Sequence, residues 1–195
     1  MPDLATTDDL EVRLGRALTS EETTKAEGLL ADTSANVRGY TGQSFTEETT
    51  TQRVKIRNGF VLLPQRPVTA VDTVENTSGT AVSFTWDGLE RVYVPAQVPD
   101  SFSWEPYRAP LSLVDVTYTH GYETVPADIV GVVCGVTLRA LGQDPMDGGT
   151  TQESIDGYSF SRGTTGAAGG FGLLPDERVV LDRYRRQFGS VQVFS

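Results

Sequence analysis

Between Thr124 and Gly142 the chain reads TVPADIVGVVCGVTLRALG, and Ile129, Val130, Val132, Val133, Cys134, Val136, Leu138, Ala140 and Leu141 leave almost no polar face. Pro126 suits a first helical position, Asp128 puts negative charge at the positive end of the helix dipole, and Gly142 offers a left-handed stop. The pattern predicts a core helix wrapped by other elements. At roughly 15 to 17 residues, interrupted by Gly131 and Gly135, it is too short for a bilayer span, which takes about 20 apolar residues. The two glycines share one face and would let another helix, from this chain or a neighbouring subunit, approach closely.

Upstream, Thr7 precedes Asp8, Asp9 and Leu10 in the manner of a helix cap with an acidic first turn, which predicts a short helix to about Arg16. Thr19 and Glu22 form a T-x-x-E capping box, and Ala26, Leu29, Leu30, Thr33, Val37 and Tyr40 then recur at helical spacing until Gly42. This predicts a long amphipathic helix whose apolar face packs on the Ile129–Leu141 helix. Glu21, Lys25, Glu27 and Asp32 fall on its solvated side.

The texture changes after Phe45. From Thr46 to His120, threonine, valine and aromatic residues alternate with polar ones between prolines and glycines, the signature of short antiparallel strands. Asn58-Gly59 predicts a hairpin between Arg53–Arg57 and Phe60–Leu63, and Asp87-Gly88 separates Val82–Trp86 from Leu89–Val94. Val68, Val71 and Val74 mark a further strand, and Leu111–Thr119 supplies the last one before the core helix. Pro95–Pro110 holds four prolines with Phe102, Trp104 and Tyr107, a candidate interaction loop.

Beyond the core helix, Ile155–Ser161 predicts one strand. Gly163, Gly166, Gly169, Gly170 and Gly172, five glycines in ten positions, predict a flexible loop. Pro175 opens a last helix, with Asp176 and Glu177 in its first turn, Arg183, Arg185 and Arg186 in its last, and Val180, Leu181 and Tyr184 as its apolar stripe. After Gly189 the chain closes as SVQVFS, a short alternating strand with no nearby partner. The fold class expected is α+β: a small helical core from residues 1–45 and 121–187, an inserted antiparallel β domain at 46–120, a Gly-rich loop region at 143–174 and an extended tail at 188–195.

Composition narrows the chemistry. A formal charge of -10 argues against gripping nucleic acid by net charge. The single cysteine, Cys134, excludes an intrachain disulfide and reads as a small buried hydrophobe. With no secretory signal or lipidation motif in sight, the chain is expected to be soluble and intracellular at synthesis. The one histidine, His120, stands beside Gly121 and reads as a turn residue. Ser154 lacks the glycines of a nucleophile elbow, and HExxH and CxxC spacings do not occur. Asp144, Asp147, Glu153 and Asp156 lack EF-hand order, the glycine stretch is no phosphate cradle, and Asn76-Thr77-Ser78 reads as a turn. No catalytic residue, metal or cofactor is expected.

What remains is a set of attachment surfaces, and unpaired strands add to a partner's sheet edge. The order DLEVRLGRALTSEETTKAEGLLADTSANVRGYTGQSF, RPVTAVDTV, YTHGYETVPADIVGVVCGVTLRAL, ESIDGYSFSR and LLPDERVVLDRYRR resembles the gp6-like head-to-tail connector (adaptor) proteins of long-tailed bacteriophages, over nearly the whole chain. The resemblance implies a structural virion protein of the neck, assembled in the host cytoplasm. It also implies a homo-oligomeric ring, usually a dodecamer, between the portal protein and the stopper, with no membrane partner. Double-stranded DNA would pass through without tight binding, in keeping with the acidic charge. Family members are helical, so the β insertion is a departure. The C-terminal segment is expected to reach into the portal through Arg183, Arg185, Arg186, Phe188, Val191, Val193 and Phe194. Two rival readings stand beside it: a carbohydrate- or receptor-binding β module using Phe102, Trp104 and Tyr107, and a small hydrolase built on a partnered His120.

Overall fold

The computed structural model describes residues 1–95, 113–142, 152–155, 158–161 and 172–185. In chain order the elements are α1 (Thr7–Leu14), α2 (Ser20–Thr41), β1 (Glu48–Lys55), β2 (Phe60–Leu62), β3 (Val68–Asn76), β4 (Thr85–Trp86), β5 (Arg91–Tyr93), β6 (Leu113–His120), α3 (Ala127–Leu141), β7 (Gln152–Ile155), β8 (Tyr158–Ser161) and α4 (Pro175–Asp182). They divide into two compact units, Met1–Gly42 with Val125–Ser195, and Gln43–Thr124. The architecture is α+β, helices with an inserted antiparallel β unit.

In the helical unit, short-range hydrogen bonds set the helix ends. Thr6, one residue ahead of the expected Thr7, caps α1: its hydroxyl accepts from the Asp9 N–H at 3.2 Å, and the Asp9 carboxylate accepts from the Thr6 N–H at 2.9 Å. The Thr6 backbone N–H, then its hydroxyl, hold the Asp9 carboxyl below the usual carboxylate range. Gly15 takes the left-handed conformation (φ 73°), so α1 ends at Leu14, short of Arg16. The Thr19–Glu22 box forms as expected. Arg16 forks onto Glu22 at 2.8 and 2.7 Å and, with the Thr19 N–H, brings that carboxyl down to about 2.

α3 is touched by α1, α2 and α4, which is why its sequence leaves so little polar surface. The buried positions of α2 include Ala26, Leu29, Leu30, Thr33 and Val37, and α2 packs along α3, with Thr137 Oγ1 donating to Thr33 Oγ1 at 3.4 Å. Each buried Leu, Ile or Val contributes about 1.5–3 kcal/mol. That packing, more than intrinsic propensity, holds the helices. Two details of α3 differ from expectation. Pro126 is the residue before the first helical turn, and Gly142 ends the helix in a right-handed conformation (φ -77°). Lys25 Nζ takes the role of the glycine stop by donating to the Leu141 carbonyl at 3.2 Å. On the glycine face of α3, a side chain at Gly131 would meet nothing within 4 Å, and one at Gly135 would meet Glu177 Oε1 of α4 at 3.7 Å.

The β unit contains two three-stranded sheets, ordered β1-β6-β3 and β2-β5-β4. Asn58 (φ 53°) and Gly59 (φ 79°) make the expected tight turn, closed by the Arg57–Phe60 bridge. The hairpin does not extend from it: β1 pairs along its whole length with β6, and β2 pairs with β5. Val68, Val71 and Val74 are spaced by three, which a regular strand cannot keep on one face. Two register shifts in β3, between Val68 and Ala70 and between Val71 and Thr73, bring them into phase against the core. That core joins Val61, Leu63, Val92 and Val94 to Val114, Val116 and Tyr118. Asp87 organises the β4–β5 loop by accepting from the Leu89 and Arg91 N–H groups, and Asn76 does the same for Ser78 and Thr80. Where one strand was expected at Ile155–Ser161, β7 and β8 pair as a hairpin instead.

Candidate functional site

The expected partner-binding segment begins where α4 ends. Arg183 and Arg185 lie just past that helix, not in its last turn, because α4 closes at Asp182. Arg186, Phe188, Val191, Val193 and Phe194 lie outside the described residues, as do Gly163, Gly166, Gly169 and Gly170 and the aromatic trio Phe102, Trp104 and Tyr107.

Both ends of α4 are tied down by residues that the sequence did not single out for that role. At its start, Arg139 of α3 forks onto Glu177 at 2.9 and 3.1 Å and donates to the Gly172 carbonyl at 3.0 Å, while Glu177 accepts from the Leu174 N–H at 2.7 Å. At its end, the Tyr184 hydroxyl donates to Asp128 in the first turn of α3, at 2.8 and 2.9 Å to the two carboxylate oxygens. The Tyr40 hydroxyl donates to Asp182 at 2.8 Å, a bond that raises the Tyr40 pKa, and the Arg185 guanidinium stands 5.3 Å over the Tyr40 ring. The exit of the chain from α4 is thereby fixed to α2 and α3. Arg178, Val179, Arg183 and Arg185 remain exposed there, beside the exposed Asp176 and Asp182.

His120 is no turn residue. It ends β6 in phase with the buried Val114, Val116 and Tyr118, is 1% exposed, and has its ring 5.1 Å from that of Tyr118. Nδ1 lies 3.4 Å from Ser44 Oγ and Nε2 lies 3.7 Å from Glu48 Oε1, with no hydrogen-bond partner for Nε2. Burial pushes the imidazole pKa down, against a smaller opposing pull from Glu48. The trio has the composition of a hydrolytic triad but not its access: Ser44 is 5% exposed, and its hydroxyl is shared with the Thr46 carbonyl at 3.4 Å. A nucleophile must reach substrate, and this one is enclosed.

Cys134 is buried, and burial pushes its thiol up to about 11. Among the described residues no His, Cys, Asp and Glu side chains gather in a group able to hold a metal ion. No helix among them is long and apolar enough to cross a membrane.

The class defined by these features is a helical core carrying an inserted β unit, and two solved structures are similar to it. One is a chain from the neck of an empty GTA (gene transfer agent) particle computed with C6 symmetry: 15% identity, a TM-score of 0.55, and coverage of 96% of this chain and 93% of that one. The other is from the neck of a native GTA particle computed with C12 symmetry, at 16% identity, 97% coverage of both chains and a TM-score of 0.48. At 15% identity the first likeness is one of fold. No protein-family model matches the chain, and no curated protein matches it by sequence.

Proposed function

We propose that this chain is a head-to-tail adaptor of a phage-like particle, a ring-forming neck protein that joins the portal to the stopper and lines the channel for passing DNA. The observation that carries the reading is the fold match to a neck chain along 96% of this chain and 93% of that one, which includes the β insertion as well as the helices. The clamped exit of α4 supports the portal as partner. A tail that must find a second protein benefits from a fixed point of departure, because less orientational freedom is lost on docking. In this reading Arg183 and Arg185 meet acidic portal residues, and Val191, Val193 and Phe194 add a strand to a portal sheet edge. The net charge of -10 suits a channel wall that lets DNA slide. Ring closure multiplies a modest anchor through effective concentration.

Deleting Gly189–Ser195 and assaying co-assembly with portal by electron microscopy tests the reading. A folded protein that no longer joins heads to tails is expected. Unchanged joining would remove the anchor, and a full-length chain that neither forms rings nor binds portal would remove the adaptor.

A further inference from the structure

The one histidine of the chain is buried where the two ends of the β unit meet. The Gln43 side chain donates to the Pro64 carbonyl at 3.2 Å and accepts from the Arg66 N–H at 2.8 Å, and the Ser44 N–H donates to Gln65 at 3.0 Å. On the returning strand, the Gly121 N–H donates to the Pro67 carbonyl at 2.9 Å, and the Glu47 N–H donates to the Tyr122 carbonyl at 3.1 Å. Glu48 and His120 are the terminal pair of the β1–β6 ladder, directly across from one another. The base of the unit is therefore knotted around the imidazole.

We propose that His120 and Glu48 form a proton-operated latch at the base of the β unit, closed while the ring is neutral and released when it takes up a second proton. The proposal is independent of the adaptor reading. In the closed state Nδ1 accepts from the Ser44 hydroxyl and the ring packs on Tyr118. An imidazolium has no lone pair, so Ser44 must turn its hydrogen to the Thr46 carbonyl, 3.4 Å away, and accept from the ring instead. Nε2 carries its hydrogen in both states and has no acceptor in the closed one, and the added charge makes that missing partner costlier. Glu48 Oε1, at 3.7 Å, has to move inward by about 1 Å to reach bonding distance.

The surroundings decide the direction. β1 presents Glu48, β3 presents Val68 across the ladder, the entering segment presents Ser44, and β6 contributes Tyr118. Glu48 is the charged group among them, and its side chain is 37% exposed, so water screens it while the ring itself is enclosed. Desolvation outweighs it. With the folded pKa below the ordinary 6.5, stability from this site is fully present above that value and is lost as pH falls through the folded pKa. Opening starts at the end of the ladder, with the Thr46–Tyr122 bridge next to it.

A single histidine makes the test direct, since no other side chain ordinarily titrates between about pH 5 and 8. The imidazole proton resonance is expected to titrate below 6.5, and amide protection at Glu47, Glu48 and Gly121 to fall over the same range. His120→Gln should remove that fall. Glu48→Gln should deepen it, because the one opposing charge is gone. Titration at or above 6.5, or loss of protection that persists in His120→Gln, overturns the latch. Should His120→Gln fail to fold, Glu48→Gln decides: a response identical to that of the unmodified chain also overturns it.

Discussion

Tyr184, just beyond the last helix, donates its hydroxyl to the Asp128 carboxylate at 2.8 and 2.9 Å, tying the exit of α4 to the first turn of α3 across 56 residues of sequence. Asp128 was placed by its dipole preference alone, but that position also makes it the anchor for the end of the described chain. Tyr184→Phe removes the hydroxyl and keeps the half-buried ring. A hydrogen bond to a charged group is worth about 1.5–3 kcal/mol net, so the urea midpoint of the helical unit should fall accordingly. Tyr40→Phe, which loses the exposed bond to Asp182, should fall by less. Equal effects of the two variants would contradict the ranking.

Gly121 marks a tighter constraint. Its φ is +98°, and a Cβ built there would lie 2.1 Å from the Thr46 carbonyl oxygen and 2.5 Å from its carbon. Both obstacles are backbone, so no side-chain rotation relieves them. Gly121→Ala should destabilise the β unit by more than about 3 kcal/mol, combining left-handed strain with a steric overlap that has to separate two bonded segments. Trp86 and Trp104 both belong to residues 43–124, so tryptophan fluorescence on urea titration reads that unit. An unchanged midpoint would show that the two segments can part at no cost.

The legible parts of this fold were those that depend on near neighbours. The Thr19–Glu22 box, the left-handed Gly42, the Asn58-Gly59 turn and the core character of α3 each follow from residues within a turn or two of one another. Strand pairing was less so. β1 leaves its turn neighbour β2 for β6, a choice set by which side chains bury together and not by the turn. The bulges of β3 disguised the spacing of Val68, Val71 and Val74. His120 could have been found: Val114, Val116 and Tyr118 alternate, and the next residue in phase is His120. Its neighbour Gly121 drew it into a turn instead. The ties around α4 could not have been found, because Arg139 with Glu177 and Tyr40 with Asp182 are pairings across the fold.

Cys134 gives a last test, this time of the helical core. It is fully buried in α3, and desolvation raises its thiol from 9.0 to about 11. Both features suppress reactivity, since the thiolate is the nucleophile and must be reached by the reagent. The native protein at pH 8 should therefore resist a disulfide reagent, with labelling appearing only as urea opens the helical unit, at the midpoint read by loss of helical circular dichroism. The raised pKa also fixes an alkaline response. The folded thiol holds its proton more tightly than the unfolded one, so stability from this group is intact below pH 9.0 and is lost as pH rises through about 11. Cys134→Ala removes that term while leaving a small cavity, so its stability should start lower at pH 8 and decline less between 9 and 11. Prompt labelling of the native protein at pH 8 would mean that α3 is open to solvent on the side where α1, α2 and α4 are packed, and the helical core as described would not stand.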